Sequence, residues 1–233
     1  MKIIFMGSAA FAVPSLQSLI DSGYHIDLVI TQPDKPAGRG QKLTACPVAQ
    51  LANKCHLPLF QPKSIKKNES IKRISDLKPD LIVVVAYGKI LPKAMLDTPK
   101  YGCINVHSSI LPKYRGAAPI QWAVVNGEVE SGVTTMFINE GMDEGDILLI
   151  DKTSILPDES AIELHDRLAK MGAGLLMKTI QGIQTKSIKP SPQDHLSATH
   201  APIIKKEDGL IDWNKPATEI NNLIRGMQPQ GQL

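Results

Sequence analysis

The sequence predicts an α/β domain built on a largely parallel sheet, and three observations carry that expectation. Short apolar runs alternate with segments of helical periodicity along most of the chain. Residues 81–86, Leu-Ile-Val-Val-Val-Ala, form an unbroken β-rich run of the kind buried on both faces of a parallel sheet. With 233 residues, 42% of them hydrophobic, the chain is long enough to bury one large core and to carry a further fragment.

The elements follow in order. Residues 2–6 are apolar and predict a first strand. Gly7-Ser8-Ala9-Ala10 then turns into a helix on which Phe11, Val13, Leu16, Leu19 and Ile20 share a face, closed by Gly23. Residues 27–31 predict a second strand, 48–55 a short helix, and 57–60 a third strand punctuated by Pro58 and Pro62. Residues 65–77 are polar with periodic isoleucines, which suits a surface helix, and 102–106 predict another strand. Pro119 fits the first turn of a helix over 119–126. Strands over 133–138 and 147–155 flank a Gly/Asp-rich loop, and 161–183 form a long amphipathic helix. Between 187 and 201, Pro190, Ser191, Pro192, Ser197 and Thr199 replace apolar residues, as in a linker. Beyond it lie a short apolar patch, Ile211-Asp212-Trp213, and a helix over 217–225 ending at Gly226. These shifts divide the chain into a domain over 1–186, a linker over 187–205 and the beginning of a truncated C-terminal domain over 206–233.

Composition bounds the function. No apolar run approaches the ~20 residues that cross a bilayer, and Gly7-Ser8 interrupts the first apolar run too early for a secretory signal. Cys46, Cys55 and Cys103 lie in separate segments, without a CxxC pair, so they are expected to be buried free thiols in a cytoplasmic protein. Net charge is +3 but uneven. Residues 1–127 hold 16 Lys and Arg against 7 Asp and Glu, and residues 128–233 hold 10 against 16, so the basic half is compatible with a polyanionic partner.

The densest chemistry is at Asn105 and His107. Two residues apart in a strand, they point the same way. They precede Ser108-Ser109-Ile110-Leu111-Pro112 and Lys113-Tyr114-Arg115-Gly116, a chain-breaking loop. An amide and an imidazole in that setting suit a reaction in which an oxygen gains negative charge. Gly141-Met142-Asp143-Glu144-Gly145-Asp146 carries three acids in an inter-strand turn, with neither EF-hand spacing nor a nearby zinc ligand. Such a turn is ordinarily solvated; brought beside His107, its carboxylate would orient the imidazole. His25, His56, His165, His195 and His200 lie outside polar constellations and are expected to be structural or superficial. The turn at Gly7 lacks GxGxxG, and no GxSxG elbow supports a serine hydrolase. Residues 31–42 form a long loop with Lys35, Arg39 and Lys42, suited either to structure or to gripping phosphates.

Together, Asn105 to Pro112, Arg115-Gly116-Ala117-Ala118-Pro119-Ile120-Gln121 and Gly141 to Asp146 resemble the 10-formyltetrahydrofolate-dependent formyltransferases. Phe11 to Leu16, Thr31 to Gly40 and Val83 to Pro92 resemble the branch that acts on methionyl-tRNA, and Ile211-Asp212-Trp213 and Ile224-Arg225 match segments after that family's linker. The resemblance covers about residues 1 to 226 and implies a Rossmann-like formyltransferase domain. It implies that Asn105, His107 and Asp143 are catalytic, and that Ser109, Ile110, Leu111 and Pro112 line the folate site. Val85, Tyr87 and Leu91 would flank backbone contacts to the pterin, while Arg39 and Lys42 would reach the tRNA acceptor end. The implied donor is 10-formyltetrahydrofolate, without a metal. The implied partner is initiator methionyl-tRNA, and the protein is expected to act as a cytoplasmic monomer away from membranes. Another amine acceptor, or an idle RNA- or folate-binding remnant, are the alternatives. Three departures from the pattern are Ser108, Ile138-Asn139, and Gln228-Pro229-Gln230-Gly231 where Pro-Trp-Pro-Gly is expected; the family's C-terminal β-barrel is expected to be absent from these 233 residues.

Overall fold

The computed structural model describes residues 1–37 and 40–228. In chain order the elements begin with β1 (Lys2–Gly7), α1 (Val13–Asp21), β2 (His25–Ile30), β3 (Lys35–Ala37), β4 (Lys42–Thr44) and α2 (Pro47–Lys54). They continue with β5 (Leu59–Phe60), α3 (Asn68–Asp76), β6 (Leu81–Val85), α4 (Lys93–Leu96), β7 (Cys103–His107) and β8 (Arg115–Gly116). The last are α5 (Pro119–Val125), β9 (Glu130–Phe137), β10 (Ile147–Ser154), α6 (Ala161–Thr185), β11 (His200–Ala201) and α7 (Ala217–Gly226).

The main sheet has seven strands in the order β10-β9-β7-β6-β1-β2-β5. Strands β5, β2, β1, β6 and β7 are parallel, and β9 runs antiparallel to both β7 and β10. Period-two alternation places Ile3, Phe5, Val83, Val85, Ile104 and Val106 in one apolar layer with Leu16, Leu168 and Leu175. The opposite face carries Ile4, Met6, Ile82, Val84 and Cys103, packed with Ile74, Tyr87, Leu91 and Met95. All five residues of β6 are buried, as its unbroken apolar run predicts. Helix α6 opens on a reciprocal cap, in which Glu163 N–H donates to Ser160 Oγ while Ser160 N–H donates to the Glu163 carboxylate.

The chain winds outward from β1 in one direction through β2 and β5, then returns to β6 on the other side. Their carboxyl ends therefore bound the crevice where open α/β sheets bind ligands. Gly7 is required there, because a Cβ would stand 2.8 Å from Val85 O.

Three expectations are corrected. The stretch over 31–42 is not all loop: Lys35 to Ala37 pairs antiparallel with Lys42 to Thr44 as the β3–β4 ladder. The presumed linker over 187–205 is not a free tether. Ser191 bridges Ile147, and β11 pairs in parallel with β8. Cys103 alone of the three thiols is buried; Cys46 and Cys55 are half-buried. Among the described residues, no helix is long and apolar enough to cross a membrane.

Burial pushes the Cys103 thiol up to about 12, assisted by the Asp97 carboxylate, and pushes the Tyr87 phenol up to about 12 as well. Unfolded, these groups ionise near ~8.5 and ~10. The unfolded chain thus gives up protons first as pH rises, and stability falls. Urea-unfolding free energy should hold to about pH 8.5 and decline between there and about pH 12. Over pH 7–8, iodoacetamide should modify Cys46 and Cys55 well before Cys103, as peptide mapping would read.

Candidate active site

Strand β7 ends at His107, and its alternation puts Asn105 and His107 on the face that carries Cys103. Asn105 is half-buried, whereas the imidazole is 5% exposed. Nε2 lies 2.9 Å from Tyr114 O. A carbonyl oxygen only accepts, so Nε2 carries the proton and donates. That leaves Nδ1 facing Asp143, whose Oδ2 is 3.7 Å away. The gap is too long for a direct hydrogen bond but places the carboxylate beside the ring.

Asp143 sits in the left-handed region at φ 54°, and its Oδ2 accepts the Gly116 N–H at 2.8 Å. The acidic turn is thus not merely solvated. The β9–β10 connection carries it back to the end of β7. Gly116 has φ 117°, and a Cβ there would lie 2.7 Å from Ala201 O. The same carbonyl accepts N–H groups from Ala117 and Ala118 at 2.9 and 3.2 Å.

The loop between β7 and β8 is pinned to β9. Thr134, the register partner of His107, donates its hydroxyl to Ser109 O at 2.7 Å and accepts from Leu111 N–H at 3.2 Å. Ser109 Oγ donates to Lys113 O at 2.6 Å. Ser109 and Leu111 are buried, while Ile110 and Pro112 are half-buried.

At the β1/β6 crevice, Ala86 O accepts the Ser8 and Ala9 N–H groups, and Gln32 Nε2 donates to Tyr87 O at 2.8 Å. Tyr87 and Leu91 are buried on the layer below the Asn105 face, and Val85 is buried in the opposite layer. The side chain of Val85 is therefore turned away from Asn105 and His107. Lys42 is exposed on β4, and Arg39 lies outside the described residues.

Sequence reasoning missed a buried polar knot below Asp143. Arg115, 3% exposed, donates from Nε and Nη2 to Gln193 Oε1 at 3.1 and 2.8 Å. Its Nη1 stands 3.6 Å from Glu144 Oε1 and 3.4 Å from His195 Nδ1. His195, expected outside any polar constellation, belongs to one. Gln193 lies in a Pro/Ser-rich stretch with no periodicity, so only the fold shows it.

Two open clefts lie elsewhere. One of about 400 Å³ runs between Lys93, Asp97 and residues 138–141, adjoining the acidic turn. The other, about 700 Å³, separates α5 from residues 208–223. Neither is lined by Asn105 or His107.

An open, mostly parallel sheet with polar groups gathered at the carboxyl ends of its strands is the architecture of an α/β enzyme. Residues 1–180 match the formyl transferase family and residues 203–233 the formyl transferase C-terminal domain, so the chain belongs to the formyl transferase family. It is 54% identical to the methionyl-tRNA formyltransferase of Alkaliphilus oremlandii, over 98% of this chain and 74% of that one. With the methionyl-tRNA formyltransferase of Trichlorobacter lovleyi it shares 52% identity over 97% of this chain and 72% of the relative. Its fold resembles an N-formyltransferase from Helicobacter canadensis solved with folinic acid and dTDP-3-aminofucose. That match has a TM-score of 0.74 at 24% identity, covering 97% of this chain and 80% of the other. A sugar N-formyltransferase from Shewanella matches with a TM-score of 0.77 at 16% identity, over 99% and 89%.

Proposed function

We propose that this chain transfers the formyl group of 10-formyltetrahydrofolate to the α-amino group of initiator methionyl-tRNA, with Asn105, His107 and Asp143 as its catalytic residues. The observation that carries the site is the approach of Asp143 Oδ2 to His107 Nδ1 at the carboxyl end of β7. The acceptor follows from identity above one half with methionyl-tRNA formyltransferases along nearly the whole chain.

The amine nitrogen attacks the formyl carbon, a carbon–nitrogen bond forms, and the carbonyl becomes a tetrahedral oxyanion. The Asn105 amide donates to that oxygen. His107 joins it through Nδ1 only when the ring carries both protons, because Nε2–H is committed to Tyr114 O. Asp143 then stands as the facing counter-charge and accepts the amine proton, directly or through water. Collapse re-forms the carbonyl and breaks the bond to the folate nitrogen, which takes the proton that Asp143 had accepted. Nothing in these steps calls on a metal.

The folate lies over Ser109, Ile110, Leu111 and Pro112, with its pterin along the backbone near Val85, Tyr87 and Leu91. The pinning of Tyr87 O by Gln32 supports a rigid edge there. Lys42, exposed on β4, and Arg39 hold the acceptor end. Residues 1–186 form the transfer unit, 187–205 the connection, and 206–233 part of a second domain.

Formyl transfer compared among charged initiator tRNA, an amino-sugar nucleotide and glycinamide ribonucleotide tests this reading; preference for either small acceptor defeats it. The Lys42→Ala variant should raise KM for tRNA with kcat unchanged, and reduce the slope of log KM against log salt by about 1. An unaltered slope removes Lys42 from the tRNA contact.

A further inference from the structure

We propose that Gln193 is a positioning residue for the transfer reaction, its buried amide fixing the backbone of Asp143 so that the carboxylate faces His107. This rests on the reading of Asp143 as catalytic. Gln193 lies in the segment that composition marks as a linker, yet it is 5% exposed. Its Nε2 donates to two main-chain carbonyls of the acidic turn, Asp143 O at 2.9 Å and Gly145 O at 2.8 Å. Its Oε1 accepts twice from Arg115. All four hydrogen-bonding positions of the amide are thereby used. The orientation is unambiguous, because a guanidinium only donates and carbonyls only accept.

The first of these carbonyls belongs to Asp143, which is itself in the left-handed region, a backbone state that persists only when its surroundings enforce it. The carboxylate of Asp143 is held from the other side by Gly116 N–H. Residues 114–118 are held in turn by Thr199 and Ala201, further along the same segment. Tyr114, whose carbonyl sets the His107 ring, donates its N–H to Thr199 Oγ1 at 2.9 Å. Residues 193–201 thus brace both partners of the His107–Asp143 pair, and among the described residues Gln193 is the one side chain hydrogen-bonded to the Asp143 main chain.

Two variants separate positioning from packing. Gln193→Glu keeps size and the two Arg115 bonds but loses both N–H donors, so it confronts the carbonyls with a carboxylate. Gln193→Met keeps volume alone. Single-turnover and steady-state formyl transfer to initiator methionyl-tRNA are measured for the full chain, in wild-type and Asp143→Asn backgrounds. Each variant should lower kcat about 10- to 100-fold with folate KM within about two-fold. Neither should lower the rate further in Asp143→Asn, since both act through that carboxylate. The proposal is overturned by an unchanged kcat, by losses that multiply in the Asp143→Asn background, or by failure of both variants to fold, which would make Gln193 a packing residue. Full activity of Asp143→Asn alone refutes the site itself, a different outcome.

Discussion

Replacing Asn105 by alanine should lower kcat for formyl transfer about 10²- to 10³-fold, the usual cost of removing one oxyanion donor. Asn105 is the cleanest residue on which to see this. Its backbone pairs with Val84 on β6 and Met136 on β9, and those strand pairings survive the substitution. The side chain is half-buried, so truncation opens no sealed cavity. Folding stability should therefore shift by less than about 1 kcal/mol, and KM for folate should change little. A donor used only in the transition state leaves that signature. His107→Ala would lose comparable rate but also strand Tyr114 O, so its effect mixes chemistry with structure. If Asn105→Ala keeps more than about a third of the wild-type rate, the amide is not an oxyanion donor.

The second large effect is expected at Gly116. Alanine there meets Ala201 O at 2.7 Å and must also hold φ 117°, which L residues rarely adopt. Overpacking costs about 1–3 kcal/mol and the backbone state about 1–3 kcal/mol. The clash partner is main chain and cannot rotate away, so β8 and β11 must part. Destabilisation of about 2–5 kcal/mol corresponds to a melting temperature lower by roughly 5–15 °C in a chain of this length. The Gly116 N–H also holds Asp143, so the fraction that remains folded should turn over more slowly. Differential scanning calorimetry combined with a rate per folded molecule reads both. A shift below about 2 °C would mean that the β8–β11 pairing yields at little cost.

Much of the architecture was legible because it is locally encoded. The alternation in β7, the continuous apolar run of β6 and the one-sided helix α1 each follow from neighbouring residues. The Asn105–His107 face was legible for the same reason. The β3–β4 and β8–β11 ladders were not, since each strand has only two or three residues and shows no period. The half-burial of Cys46 and Cys55 likewise depends on what packs above them rather than on residue type. Gln193, and the pairing of Arg115 with it, escaped notice because a buried polar pair is recognisable only by its partners, and these two lie 78 residues apart.

What the sequence by itself determined was the parallel α/β sheet, the amide and imidazole on one strand face, and a family resemblance that the comparisons bear out. Tertiary structure alone decided that Asp143 returns to His107, that Tyr114 O sets which ring nitrogen carries the proton, and that the Pro/Ser-rich segment is part of the site's frame. The physical reason is range. Periodicity and turn chemistry act over a few residues, whereas these three features depend on hydrogen bonds and close approaches between segments that meet only once the core has packed.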